Sequence, residues 1–565
     1  MEINILIGGE AGQGVETVVA LLGKAMIRSG YGVCLDKDYM SRVRGGHNFS
    51  RLRIAAETPW CAAGKVDILV SLDQETYLLH RDKLQEKSRI IYDPDMFSLP
   101  REEQRGAAVP LLHLAKEAGG AVMANTVAVG AVLVLMGMDT AAAEDLLRQM
   151  FAHKEGMVEK NLQALKKGYK EAALHCSACF SLPEKKLKEE RLFIDGNQVL
   201  GMSALASGCR FLSAYPMTPS TGIMNYLAGK QEYGVVVEQA EDEISAINMV
   251  LGASFAGVRS MTCTSGGGFA LMVEGVSLAG MTETPVVIVV GMRPGPATGL
   301  PTRTEQGDLE FVLHAGHGEF PRAVLSAVHL EDAFYRLNKA FYLADKYQIP
   351  VIFLTDQNFA DSARSVTPFD FQRLNCERFL AEEENLVRPY RRYRYTENGI
   401  SPRALPGQFP GEVVLADSDE HNEKGNIIED ALTRRRMVEK RLRKQEGLFS
   451  EMEEPVLYGH QEPDLLLIGW GSTFGCLRET VDILRDGDRR AALLHFSDLW
   501  PLPVKTVSRL LPGVKTSFCV ENNATGQLAS LLRRETGLEV DHKILKYDGR
   551  PFLPEEILQE VKKYV

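Results

Sequence analysis

The sequence predicts an α/β protein built from three successive α/β domains. Three observations predict it. The chain opens with an apolar strand that runs into a glycine loop and an amphipathic helix. Short, continuous apolar runs of strand length recur in the middle and near the end. Charged stretches separate these regions. Length agrees, because 565 residues are too many for one hydrophobic core.

Residues 3–7 form the first apolar run, followed by Gly8-Gly9-Glu10-Ala11-Gly12-Gln13-Gly14 and by Val15, Val18, Leu21, Leu22 and Met26 at helical spacing. Strand-like runs at 67–72 and 89–92 and an apolar helix near 125 continue the alternation, which places a first domain at 1–180. Residues 183–191 are charged and weakly periodic, as an exposed linker is. A second domain spans 192–365, with strands expected at 234–237, 285–290 and 351–354, all of the buried parallel kind. Residues 366–455, with Asp417-Ser418-Asp419-Glu420-His421 and a basic helix-like run at 433–444, read as a charged excursion or arm. A third, smaller domain fills 456–565, with strands at 464–468, 491–496 and 517–520.

With 45% hydrophobic and 25% charged residues the composition is that of ordinary soluble globular proteins and permits a packed enzyme. A net charge of -11 argues against nucleic acid as a partner, since phosphate binding draws on clustered Lys and Arg. The apolar run after Met1 is too short for a secretory signal, so a cytoplasmic location is expected. The uncharged stretch 118–138 is mostly Gly, Ala and Val and holds Asn125 and Thr126. It reads as a buried core helix, with no membrane association. Nine scattered cysteines, an odd count, fit reduced thiols. Cys176 and Cys179 form one C-x-x-C pair, half of a four-thiolate set, so no metal site is expected in this chain.

Four segments carry candidate chemistry. In Tyr215-Pro216-Met217-Thr218-Pro219-Ser220-Thr221 two prolines pre-shape a hydroxyl-rich loop, and Ser220 or Thr221 is placed to cap the next helix, although a purely structural turn explains the pattern equally well. A buried-looking strand ending at Val237 leads into Glu238, Glu241, Asp242 and Glu243. Helical spacing puts Glu243 on the apolar side with Ile247 and Leu251, where an ionised carboxylate is costly and needs a specific partner. Cys263-Thr264-Ser265-Gly266-Gly267-Gly268 reads as a glycine turn that lets a ligand approach the main chain. The long loop from Gly295 to Leu309 follows a strand. Loops at the carboxyl ends of parallel strands form ligand crevices, which places Arg303 for an anion.

This ordered set resembles the 2-oxoacid:ferredoxin oxidoreductase family, in the form where an N-terminal gamma domain is fused to the alpha part. The matching motifs are Gly8 to Val15, Ser41-Arg42-Val43-Arg44-Gly45-Gly46, Tyr215 to Thr221, Glu241 to Asn248, Thr264 to Gly268 and Gly299 to Leu309. The resemblance implies a gamma-type first domain, a pyrimidine-type thiamine diphosphate-binding second domain and a transketolase C-terminal-like third domain. It implies coenzyme A-dependent oxidative decarboxylation of a 2-oxoacid, with electrons passed to ferredoxin. Glu243 would hydrogen-bond the pyrimidine nitrogen of thiamine diphosphate, and desolvation of that carboxyl should raise its pKa. Tyr215, Pro216 and Thr218 would line the cofactor, and Thr218 and Arg303 would contact the 2-oxoacid, Arg303 through paired donors that Lys cannot reproduce. Gly8, Gly9, Gly12 and Gly14 would cradle a coenzyme A phosphate with backbone N–H groups, or serve only as a tight packing turn. Arg42 and Arg44 are open to two readings, anion ligands or interface ion pairs, and the role of Glu521-Asn522-Asn523 is equally open.

No Gly-Asp-Gly segment with a following Asn at the diphosphate-magnesium spacing is found, and no four-cysteine cluster set. The resemblance therefore implies a beta subunit that carries Mg2+, the diphosphate end of the cofactor and a [4Fe-4S] cluster, in an (alpha-beta)2 heterotetramer whose isolated alpha chain is inactive. Pyruvate, 2-oxoglutarate and branched-chain 2-oxoacids all remain open as substrates, with 2-oxoglutarate preferred. Two other readings stand beside this one. One is a coenzyme A-binding scaffold that never touches thiamine. The other is an NAD-dependent oxidoreductase that uses the first glycine loop, with Asp36 at a ribose.

Overall fold

A computed structural model describes residues 2–41, 46–182, 185 and 189–565. Arg42 and Arg44, and most of the expected linker, lie outside the described residues. The chain divides into two compact units. The first comprises Met1–Asp195, Asp361–Pro368 and Leu553–Glu555, and the second comprises Gly196–Ala360, Phe369–Phe552 and Glu556–Val565.

The first unit holds an eight-stranded mixed sheet. Its order is Gly106–Ala108, Leu84–Tyr92, Val66–Ser71, Glu2–Glu10, His47–Ala55, Gly32–Asp38, Ala363–Val366, Leu192–Asp195. The first four run parallel and the rest pair antiparallel. The last two strands correct the expected domain limits. Residues 192–195 and 363–366 sit at the two ends of the expected second domain, yet they pair with each other in the first sheet. Val15, Val18, Leu21, Leu22 and Met26 of the helix Val15–Arg28 are all buried, as their spacing requires.

The stretch 118–138 forms a short 3-10 turn and the helix Ala124–Leu135, whose residues are buried from Thr126 onward. This helix packs against Met157–Ala173 at paired glycines. A Cβ at Gly130 would overlap Leu165 O, and one at Gly168 would overlap Val127 O. The two backbones approach closely because neither residue carries a side chain. No described helix is long and apolar enough to cross a membrane. Cys176 and Cys179 are joined as a disulfide, which corrects the expectation of reduced thiols for this pair; the other seven cysteines are free.

The second unit holds two sheets. The seven-stranded sheet runs Asp498–Trp500, Ala323–Ser326, Pro350–Asp356, Val286–Met292, Ser260–Thr264, Phe211–Ala214, Val236–Gln239, all parallel except the first. Its central strands are buried on both faces; Val286–Met292 and most of Pro350–Asp356 read as apolar runs for that reason, whereas Ser260–Thr264 is buried although Ser260, Thr262 and Thr264 carry hydroxyls. Val236–Gln239 is different. It is a largely exposed edge strand, not the buried one expected there. The five-stranded sheet runs Val456–Gly459, Ala491–Phe496, Leu465–Trp470, Thr516–Glu521, His542–Leu545, with only the first strand antiparallel. One hydrophobic core joins Ile288 and Phe269 to Ile468, Leu494 and Leu528. Three sheets are therefore present as expected, but the last two share a single compact unit.

The expected arm is also corrected, because it is packed into the second unit, against the helix Leu330–Tyr347. Its helix Ala431–Glu451 buries Met437, Lys440, Arg441, Lys444 and Leu448. Lys440 Nζ donates to both oxygens of buried Glu283 at 2.7 and 2.9 Å, and Lys444 Nζ lies 2.5 Å from Glu283 Oε2. Those two ammonium groups hold the Glu283 carboxyl far below its ordinary range, while burial pushes Lys444 down to about 7.

Candidate active site

Phe211–Ala214, Ser260–Thr264 and Val286–Met292 are adjacent parallel strands, so the loops leaving their carboxyl ends converge. The loop after the first strand holds Tyr215, Pro216 and Thr218; Tyr215 is exposed and the other two are half-buried. Ser220 Oγ donates to Met217 O at 2.9 Å, so it closes the turn and does not cap the helix Thr221–Ala228 as expected. Pro219 packs on Gly291 of the third strand, where a Cβ would stand 3.0 Å from its ring. Arg293, two residues beyond Gly291, donates through Nη1 to Thr218 O at 2.7 Å.

At the second strand, Gly266-Gly267-Gly268 is the first turn of the 16-residue helix Gly266–Met281, which corrects the expected glycine turn. The glycines still permit a close approach, of their neighbours' side chains. A Cβ at Gly268 would overlap Thr264 Oγ1 and stand 2.6 Å from Glu243 Oε1; one at Gly266 would overlap the Asp308 carboxylate. Ser265 Oγ donates to Met217 Sδ at 2.6 Å, tying this turn to the Thr218 loop.

Glu243 opens the helix Glu243–Phe255. Asp242 supplies the N-cap, accepting from Ser245 N at 2.7 Å, and this frees the next carboxyl from capping duty. Of the four acids clustered here, Glu238 and Glu241 are exposed and Asp242 is half-buried, while Glu243 is 4% exposed. Its Oε1 is buried without a hydrogen-bond partner among the described residues, as is Thr264 Oγ1. Buried polar atoms are nearly always satisfied, so an orphaned carboxyl oxygen beside an orphaned hydroxyl points to a polar group from outside the chain.

The third loop carries Arg303 and Asp308. Arg303 is buried and lies against the turn at Gly549, where a Cβ would stand 3.0 Å from Arg303 Cβ. Asp308 Oδ2 is a further buried oxygen without a partner, and burial pushes this carboxyl up to about 6 against the pull of the nearby Arg293. The structure thus links Glu243 to Gly268, Gly266 to Asp308, and Arg293 to both Asp308 and Thr218, with Arg303 on the same loop as Asp308. Arg293 and Asp308 were missed. An arginine directly after a buried strand, and an acid just ahead of a helix, were the available signals.

In the first unit, Gly8 and Gly9 belong to the strand Glu2–Glu10, and a Cβ at Gly8 would stand 2.7 Å from Thr76 Cγ2. Packing accounts for Gly8. Gly12 and Gly14 take positive φ, 94° and 87°, in the turn that Gln13 N closes on Glu10 O at 3.1 Å. Beside them is a cavity of about 380 Å³ lined by Glu10, Gly12, Glu16, Lys37, Asp38 and Phe49. Its lysine is already paired with Glu16 at 2.8 Å. Asp36, the ribose candidate of the NAD reading, accepts from Arg51 Nε at 2.9 Å and is thereby engaged.

Comparison with known proteins identifies the family. A family model described as "Pyruvate flavodoxin/ferredoxin oxidoreductase, thiamine diP-bdg" matches residues 202–440, and one described as "Pyruvate ferredoxin/flavodoxin oxidoreductase" matches residues 4–171. The chain is 33% identical over 629 residues to a 2-oxoacid:ferredoxin oxidoreductase subunit alpha from a Sulfolobus species, covering 100% of this chain and 97% of the relative. It is 32% identical to the 2-oxoglutarate oxidoreductase subunit KorA of Mycobacterium tuberculosis, over 77% of this chain and 67% of that one. Among solved structures, the 2-oxoglutarate:ferredoxin oxidoreductase of Magnetococcus marinus, with 2-oxoglutarate, coenzyme A and succinyl-CoA bound, superposes with a TM-score of 0.93 at 32% identity, covering 100% of this chain and 99% of that one. The chain belongs to the 2-oxoacid:ferredoxin oxidoreductase family, among its alpha subunits.

Proposed function

We propose that the chain is the gamma-alpha fused subunit of a cytoplasmic enzyme that converts a 2-oxoacid and coenzyme A to acyl-CoA and carbon dioxide. The bond between the carboxylate and the keto carbon breaks, a bond from the coenzyme A sulfur to that carbon forms, and the thiol proton is released. The electron pair left behind leaves in single-electron steps through a beta subunit to ferredoxin. That subunit supplies Mg2+ and a [4Fe-4S] cluster, in an (alpha-beta)2 heterotetramer. The observation that carries this reading is buried Glu243, whose orphaned Oε1 faces glycine where any side chain would intrude.

Thiamine diphosphate, when bound, supplies the carbon nucleophile that adds to the keto carbon and holds the electrons that decarboxylation leaves. Glu243 would hydrogen-bond the pyrimidine nitrogen from a buried position on the helix that also buries Ile247 and Val250, where the absence of competing water strengthens the contact. Gly268 keeps the space in front of that carboxyl clear. The Thr218 hydroxyl polarises the keto oxygen, with its main chain pinned by Arg293. Tyr215 and Pro216 line the cofactor beside it. Arg303 meets the substrate carboxylate with paired donors. Gly12 and Gly14 offer backbone N–H groups to coenzyme A in the first unit, with Gly8 acting through packing. The preferred substrate is 2-oxoglutarate, in keeping with the 2-oxoglutarate enzymes among the relatives.

The test is co-purification with the native partner, then coenzyme A-dependent reduction of a low-potential dye over a panel of 2-oxoacids. Dye reduction that needs both the 2-oxoacid and coenzyme A, and is highest with 2-oxoglutarate, supports the reading. Reduction of a nicotinamide in place of the dye, or activity without a 2-oxoacid, overturns it.

A further inference from the structure

The segment Glu521-Asn522-Asn523 ends the strand Thr516–Glu521 in the five-stranded sheet, whereas Arg303 sits in a loop of the seven-stranded sheet. One fully buried side chain joins them. Gln306, three residues after Arg303, has no solvent exposure and uses every polar group it has. Its Nε2 donates to Trp470 O at 2.8 Å, and its Oε1 accepts from Asn522 N at 2.9 Å. Its backbone N donates to Asn522 O at 2.7 Å, and its carbonyl accepts from Asn523 Nδ2 at 3.1 Å.

The clamp is itself braced. Glu521 is fully buried and accepts from Trp470 Nε1 at 3.2 Å, from Asn523 Nδ2 at 2.9 Å, and from Leu528 N and Ala529 N at 2.9 and 3.1 Å in the first turn of the helix Gln527–Thr536. Asn523 Oδ1 accepts from Gly526 N at 2.7 Å, which fixes which end of its amide faces Gln306. Gln527 reaches back to the loop from the same helix, donating to Gly307 O at 2.8 Å and accepting from Glu310 N at 3.0 Å. Thr304 N, on the other side of Arg303, donates to Gly549 O at 3.3 Å. The loop is therefore held on both flanks of Arg303 by groups of the five-stranded-sheet region.

From this network we infer that Gln306, with Asn522 and Asn523, are positioning residues of the 2-oxoacid site: they set where the Arg303 guanidinium meets the substrate carboxylate. The inference rests on the reading of Arg303 given above. A packing role alone requires none of this directionality, because apolar side chains would fill the same space without a chain of oriented donors. Paired donors on a carboxylate are sensitive to placement, and an ångström of displacement at such a contact costs on the order of a hundredfold in rate.

The experiment uses the complex with its native partner. Gln306→Met keeps the volume and removes the clamp's side-chain bonds; Asn523→Ala removes one bond to the loop and leaves Gln306 intact; Arg303→Lys is run beside them. KM for 2-oxoglutarate, KM for coenzyme A, kcat and the thermal midpoint are read for each. The expected result is a rise of about tenfold or more in the 2-oxoglutarate KM for Gln306→Met and a smaller one for Asn523→Ala, with the coenzyme A KM unchanged. If Gln306→Met does not assemble, the Asn523→Ala value decides. A fall in thermal midpoint with the 2-oxoglutarate KM unchanged, while Arg303→Lys raises it, overturns the positioning role alone. An unchanged KM in Arg303→Lys overturns the carboxylate reading and this inference with it.

Discussion

Glu243 Oε1 lies against the backbone of Gly268 so closely that a single added methyl at 268 would stand 2.6 Å from it. The carboxyl and the glycine are a matched pair: one supplies an oxygen with no partner among the described residues, the other the clearance in front of it.

Gly268→Ala should therefore both strain the fold and damage the site. The added Cβ meets Oγ1 of the short, β-branched Thr264 and Oε1 of Glu243, both on buried residues, and overpacking of this kind costs about 1–3 kcal/mol. Gly267→Ala is the control, since its Cβ would find nothing nearer than Ala297 O at 3.5 Å. Thermal unfolding should separate the two, with only Gly268→Ala lowered.

Asp308 should leave a signature in the pH dependence of stability. Its folded carboxyl is raised from 3.8 to about 6 by burial, so between those values the folded state binds more protons than the unfolded one. Stability from this group is thus lost as pH rises through that window. Asp308→Asn removes the loss. The variant should be close to the parent in stability near pH 4 and more stable by about 3 kcal/mol at pH 7, read as the difference in unfolding free energy of the isolated chain.

Glu283→Gln tests the lock that holds the 369–455 segment. Losing the carboxylate leaves Lys440 and Lys444 buried without their counter-charge, and breaking a buried pair in this way costs about 3–5 kcal/mol. Denaturant unfolding should report that loss, and protease should cut between 369 and 430 sooner than in the parent.

Much of this was legible in the sequence because it is local. The run 491–496 is a strand from end to end, the helix at Val15 buries the residues its period selects, and Glu243 is the one acid of its cluster on an apolar face. What stayed illegible depends on distant partners. The strand 192–195 belongs to the first sheet only because 363–366 pairs with it. Lys440 and Lys444 read as a solvated basic face because their partner Glu283 lies 157 and 161 residues away. Arg293 showed only as an arginine after a buried strand; its partner is the carbonyl of Thr218, set by how neighbouring strands end together. Gly266 to Gly268 looked like a turn because glycine is a poor helix former, and the cost is accepted where side chains of Glu243 and Asp308 need the room.

The most direct measurement is 2-oxoacid decarboxylation by the reconstituted complex carrying Glu243→Gln, followed as carbon dioxide release with thermal stability monitored in parallel. A change of one oxygen to an amide nitrogen leaves size and packing in place, so folding and assembly should be retained while the rate falls by about a hundredfold or more. Retention of most of the parental rate would mean that this carboxyl takes no part in the chemistry, and that the chain serves its complex as a scaffold.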